Sequence, residues 1–476
     1  MKIASILYFA ANFVSLSLGA IVSLKPPSKD PFYTATDGFK DAKPGDILRI
    51  RKAPSKLSSS FFPLDVKNTW QLLVRSEDSF GNPNVFVTTI IEPYNSDPAK
   101  VLSYQTFEDS SNLDCAPSYG VLSGAALGTM ATQLEMTLMV LALQKGYYVV
   151  TPDYEGPKAT FTVGKQSGQA VLNSVRATLN SGETTGISND AKVAMWGYSG
   201  GSLASSWAAS LQPKYAPELS KNLIGAALGG FVTNITATAE ATDGGIFAAL
   251  IPNAMNGLAN EYPEFRDKIF DEVHAFDKMT LEDGSELCLV PALFMFAYKE
   301  FLTGESPAFP KGFKLLEDEV ISNTIDENSL INHSKDIMPE IPIFIYHGSF
   351  DMIVPINGAK DVYKIWCEND IGSLEFSEDL TSGHLTETIV GAPAAWTWIE
   401  NRFDGKEAVK GCSHSVRLSN FLYPNMSTVT RDYFRGLYDA FSASPIGPLD
   451  KVSKKSQLSK RQLEELRNFD YSSLIH

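Results

Sequence analysis

Residues 192–202 read Lys-Val-Ala-Met-Trp-Gly-Tyr-Ser-Gly-Gly-Ser, a short apolar run that ends in one serine set among three glycines. Gly197-Tyr198-Ser199-Gly200-Gly201 matches G-x-S-x-G, and the alanine- and serine-rich stretch Ser202–Gln212 that follows has the texture of a helix. In a strand-turn-helix elbow of this kind the serine takes a strained backbone conformation. Side chains two residues before and two after it would collide, so both positions call for glycine. A second match in outline, Gly304-Glu305-Ser306-Pro307-Ala308, fails on chemistry. The residue after a nucleophilic serine must donate its N–H to a developing oxyanion, and Pro307 has none. Ser306 therefore reads as loop.

Outward from the elbow, further short apolar runs recur: Val101–Phe107, Tyr147–Thr151, Leu223–Leu228 and Pro342–Tyr346. They are continuous rather than alternating, as strands buried on both faces are. Helical stretches such as Ala125–Lys145 lie between them. The alternation predicts an α/β protein with a mostly parallel central sheet covered on both sides. Residues 234–310 break the rhythm with helical stretches (Phe265–Lys278, Pro291–Phe301) and no clear strand, which reads as an inserted helical cap. The expected organisation is a signal peptide over 1–20, core over 21–233, cap over 234–310, core again over 311–441, and a tail over 442–476 rich in Lys and Arg.

The N-terminus supports the first of these: Lys2, an apolar stretch and a small-residue exit at Gly19-Ala20 describe a secretory signal. Secretion makes Cys115, Cys288, Cys367 and Cys412 candidates for two disulfides, with three pairings open. Asn234, Asn332 and Asn425 each begin an N-x-S/T acceptor for N-glycosylation. The net charge of −15 over 476 residues argues against a nucleic-acid partner. With 44% hydrophobic and 20% charged residues the chain has an ordinary globular composition.

Serine is a weak nucleophile and needs a histidine base oriented by an acid, in chain order Ser, Asp or Glu, His for this elbow type. All six histidines follow Ser199: His274, His333, His347, His384, His414 and His476. His384 lies in Thr381-Ser382-Gly383-His384-Leu385-Thr386, just past the strand candidate Leu374–Glu378, where a base should fall. Asp351 ends the run that begins at Ile341, just past a buried strand and 33 residues before His384. Loops past the C-terminal ends of parallel strands are where such sheets carry chemistry. His414, beside Cys412, and the acids Asp361 and Asp379 are weaker rivals; His347, four residues before Asp351, reads as structural.

Five stretches taken together resemble the fungal secretory lipases, the lipase A type that includes secreted yeast lipases: Tyr104–Ser111 (YQTFEDSS), Asp114–Tyr119 (DCAPSY), Pro152–Gly156 (PDYEG), Gly197–Gly201 (GYSGG) and Gly383–Glu387 (GHLTE). The resemblance runs over residues 30–440 in order. It implies an α/β-hydrolase core with a helical lid, acting on triacylglycerols and other esters, with Ser199, Asp351 and His384 as the triad. It also implies an oxyanion site in which the carboxyl of Asp109 donates beside the N–H of Gly200, and disulfides Cys115–Cys288 and Cys367–Cys412. A carboxyl donates only while protonated, so Asp109 must be buried away from positive charge. Expected partners are a lipid ester at an oil–water or membrane surface, with no nucleic acid, no metal, no cofactor and a monomeric chain. The apolar cap stretches Gly244–Ile251 and Leu289–Phe296 suit such a substrate. A soluble-ester carboxylesterase or acyltransferase would use the same triad, and a non-catalytic binding protein on this fold is the rival of another class.

Overall fold

A computed structural model describes residues 24–59 and 62–441. Its centre is a ten-stranded sheet. In chain order the strands are β1 (Ile47–Lys52), β2 (Asn68–Glu77), β3 (Pro83–Glu92), β4 (Asp97–Gln105), β5 (Tyr147–Pro152), β6 (Lys192–Tyr198), β7 (Leu223–Gly229), β8 (Ile343–Gly348), β9 (Ser373–Asp379) and β10 (Gly411–Arg417). Their spatial order is β1-β2-β3-β5-β4-β6-β7-β8-β9-β10. The first three strands and the β3–β5 pair are antiparallel; every pairing from β5 to β10 is parallel.

Strand β6 shows why the apolar runs are continuous. Val193 and Met195 point into one hydrophobic cluster, whereas Ala194, Trp196 and Tyr198 point into the other, on the opposite face. Two helices, α1 (Met130–Gln144) and α2 (Gly164–Asn180), cover opposite faces, and α3 (Gly200–Tyr215) lies beside α2. A third cluster belongs to the helical insert between β7 and β8. It gathers Ile251, Leu258, Phe265 and Ile269 with Leu315 and Ile321, so its packing continues past residue 310, the bound suggested by the sequence.

Within that insert the helix expected over Phe265–Lys278 is two helices, Pro263–Glu272 and Lys278–Gly284. Val273 is extended at φ −72°, ψ 139°, and only 4% exposed, and the next residue's N–H goes to the carbonyl of Ala308. Burial of Val273 in the cap core, rather than any glycine or proline, breaks the helix. The expected signal segment (1–20) and tail (442–476) lie outside the described residues.

Candidate active site

Ser199 sits between the last residue of β6 and the first of α3, with φ 52° and ψ −123°. Positive φ is costly for a residue with a Cβ, and the surroundings enforce it. A Cβ on Gly197 would overlap the carbonyl of Gly201 and stand 2.6 Å from Ser205 Oγ; one on Gly201 would overlap the carbonyl of Gln105. Both glycines are therefore demanded by the close approach of α3 to β6 and β4.

His384 opens a short helix (His384–Val390) behind β9 rather than lying in plain loop. Its Nε2 is 2.8 Å from Ser199 Oγ and its Nδ1 is 2.6 Å from Asp351 Oδ2. Asp379 shapes the approach to it: one carboxylate oxygen accepts the N–H groups of Thr381 (2.8 Å) and Ser382 (3.0 Å). Asp351 follows β8, and its Oδ1 accepts N–H from Ile353 (2.9 Å) and Val354 (2.8 Å). Burial would raise the carboxyl of Asp351, but the imidazoles of His384 and His347 beside it hold it well below the usual carboxylate range. So the three groups stand in one hydrogen-bonded line, each less than a tenth exposed.

The other side of Ser199 holds Asp109. Its side chain meets the position a Gly200 Cβ would occupy, so only glycine fits beside it. Asp109 is 5% exposed with φ 48°, and among the described residues Oδ1 has no hydrogen-bond partner. Burial pushes its carboxyl up to about 7. Its main-chain carbonyl accepts from Asn253 Nδ2 of the cap at 2.8 Å. Upstream, buried Glu135 accepts from Phe107 N–H at 2.7 Å and Tyr104 Oη at 2.8 Å, which fixes the turn leading to Asp109. Gly200 is the first residue of α3, where backbone N–H groups have no partner within the helix.

The rivals fall elsewhere. His414 faces Glu378 at 3.0 Å and stacks on Phe376, His333 packs on Trp207, and Asp361 lines a separate surface cleft. His347 is different: the sequence suggests a structural residue, yet it touches Asp351, and its place four residues before Asp351 was the available signal. The disulfides join Cys115 to Cys288 and Cys367 to Cys412. Asn332 and Asn425 are exposed, and Asn234 is half-buried, accepting from Ala237 N–H at the start of a cap helix.

An apolar cavity opens on Ser199, Gly200 and Asp109 and runs beneath the cap. Its walls include Ile235, Leu250, Ile251, Met255, Leu258, Phe265, Leu302, Phe313 and Ile321. Apart from Ser199, Asp109 and four threonines (Thr162, Thr236, Thr238 and Thr242) the lining is apolar, so the cavity suits a hydrocarbon chain.

A sheet of this order with a serine elbow at its centre and a helical insert before the acid-bearing strand is an α/β-hydrolase, and the chain is a lipase, a carboxylic ester hydrolase. A family model described as secretory lipase matches residues 122–411, and the chain belongs to that family. It is 61% identical over 436 residues to Lipase 1 of Candida albicans, covering 92% of this chain and 93% of the relative, and 58% identical to Lipase 6 of the same yeast over 428 residues, covering 90% and 92%. The X-ray structure of Candida antarctica lipase A in its closed state superposes with a TM-score of 0.77 at 29% identity, over 87% of this chain and 96% of that one.

Proposed function

We propose that the protein is an extracellular lipase that hydrolyses triacylglycerols and related long-chain esters through Ser199, His384 and Asp351. The observation that carries this reading is the junction of the Ser199–His384–Asp351 line with a long apolar cavity under the cap. His384 Nε2 takes the proton of Ser199 as Oγ attacks the ester carbonyl. The tetrahedral oxyanion is met by the N–H of Gly200 and the protonated carboxyl of Asp109, donors that in such sites supply the largest single share of catalysis. His384 then protonates the leaving alcohol, Ser199 keeps the acyl group, and a water repeats the sequence to release the fatty acid.

The acyl chain would occupy the cavity and the glyceryl part would face outward. The family's secretory character and the two disulfides favour export, and Asn234, Asn332 and Asn425 are proposed glycan acceptors. Rates on p-nitrophenyl esters of rising acyl length and on emulsified trioleoylglycerol, beside Ser199→Ala, test the reading. Long-chain activity and labelling by a fluorophosphonate, both lost in the alanine variant, are expected. Near-native hydrolysis in Ser199→Ala would overturn the triad, and a preference for acetyl over every longer ester would overturn the lipid substrate.

A further inference from the structure

Asp351 has two imidazole neighbours, and only one belongs to the catalytic line. His347, the fifth residue of β8, is fully buried. Its ring touches two loops. Nδ1 accepts the N–H of Phe231 at 3.1 Å, which fixes the tautomer: the proton resides on Nε2. Nε2 then donates to the carbonyl of Val354 at 2.9 Å and stands 3.1 Å from Asp351 Oδ2. Each contact bears on the triad. Val354 is one of the two residues whose N–H groups grip Asp351 Oδ1. Phe231 follows Gly230, which lies so close to His384 that a Cβ there would stand 2.9 Å from the imidazole Cε1.

We propose that His347 is a positioning residue for the triad, resting on the reading above: it locks the turn that presents Asp351, ties it to the loop that backs His384, and places a positive N–H dipole on the carboxylate oxygen that His384 uses. The last effect has a sign. A carboxylate partly compensated by His347 stabilises the imidazolium of His384 less than a bare one would. Loss of the Nε2–H donor therefore leaves Asp351 a stronger partner for the imidazolium that forms during turnover. The other ionisable groups facing this line are Tyr198, which donates to the His384 carbonyl at 2.6 Å, Glu387, which burial holds above the usual carboxylate range, and Asp109 across Ser199. None of them contacts His347 in a way that a substitution there would remove.

Two substitutions separate the halves of the ring. Asn places an oxygen near the Nδ1 position, so His347→Asn keeps the acceptor for Phe231 and loses the donor. Gln places an N–H near the Nε2 position, so His347→Gln keeps the donor and loses the acceptor. Both are assayed on a p-nitrophenyl ester across pH, with the Tm of each and with Ser199→Ala alongside. The expected result for His347→Asn is kcat down about 10-fold at unchanged KM. Its acid limb should move to higher pH. His347→Gln should keep the native acid limb and most of kcat. Equal loss of Tm in both variants with native acid limbs would reduce His347 to a packing residue and overturn the proposal. Identical shifts in both would overturn the donor assignment. Failure of the triad itself reads out separately, as near-native activity in Ser199→Ala.

Discussion

In the proposed mechanism Asp109 is the residue on which the pH behaviour turns. Most carboxyls near a catalytic serine would be ionised at neutral pH and would repel an oxyanion; this one is buried, has no cation paired with it among the described residues, and is pushed up to about 7. Its donor form is complete well below pH 7 and disappears as pH rises through it. His384 must be a free base, so activity rises on the acid side, and the two requirements together predict a bell-shaped profile whose alkaline limb belongs to Asp109. Asp109→Asn keeps an N–H donor that does not titrate, so the alkaline limb should vanish while the acid limb stays. Asp109→Ala removes the donor altogether and should cost about 10²–10³ in kcat, the usual loss for one oxyanion donor. The same shift bears on stability. A carboxyl raised from 3.8 in the unfolded chain contributes fully below that value and loses the contribution as pH rises through about 7. Hence the Tm of Asp109→Asn, compared with the native protein, should gain between pH 4 and 8. An alkaline limb that persists in Asp109→Asn would assign it to another group.

The strand–elbow–helix unit is the element that makes Ser199 chemically special, and its demand for glycine can be tested directly. In Gly201→Ala the new methyl meets the main-chain carbonyl of Gln105 on the neighbouring strand, which cannot swing aside as a side chain would. Overpacking of a fixed wall typically costs 1–3 kcal/mol, so about 3 kcal/mol is expected here, read as a lower denaturant midpoint. Activity should fall further than stability, because relief would come from moving α3 and with it the N–H of Gly200. Gly372→Ala, where a Cβ meets nothing, is the neutral control. The rigidity of this unit is also why its sequence was so readable: each local choice is forced by a contact. Other elements carry weaker marks. Strand β2 (NTWQLLVRSE) was not legible because it buries polar side chains, with Gln71 fully covered and donating to the Ser118 carbonyl at 2.6 Å. In β3 the buried Thr88 and Thr89 break the apolar run in the same way, and Thr88 Oγ1 shares a 2.7 Å hydrogen bond with Ser174 Oγ. Such strands fit neither the alternating nor the continuous pattern, and only the tertiary partners explain them. His347 was missed as a contributor for a related reason, since its contact with Asp351 exists only once the turn after β8 is folded.

At the scale of the molecule the question is what keeps the cap in register with the core, since the cavity has one wall in each. Besides the Asn253 hydrogen bond to the Asp109 carbonyl, ties that converge near this turn include the Cys115–Cys288 disulfide, the hydrogen bond from Ser110 Oγ to the Leu287 carbonyl at 2.9 Å, and that from Asn112 Nδ2 to the Glu286 carbonyl at 2.8 Å. The two cysteines are 173 residues apart, whereas Cys367 and Cys412 are separated by 45 and join a helix to the edge strand β10 on the core's far side. Loop-closure entropy grows only slowly with length, about 5 kcal/mol for the longer loop against about 4 for the shorter, so the two bonds should stabilise the fold by similar amounts. Their effects on function should differ. Cys115→Ser/Cys288→Ser frees the segment leading into the helix Leu289–Phe296 and loosens the turn that carries Asp109, so it should lower kcat on long-chain esters and raise hydrogen exchange over residues 284–296. Cys367→Ser/Cys412→Ser should lower Tm comparably and leave kcat at moderate temperature near the native value, because three strands separate β10 from the elbow. Equal losses of kcat in the two pairs, at temperatures where both remain folded, would mean that the cap is held by its apolar packing alone and that the covalent tie does not position the oxyanion site.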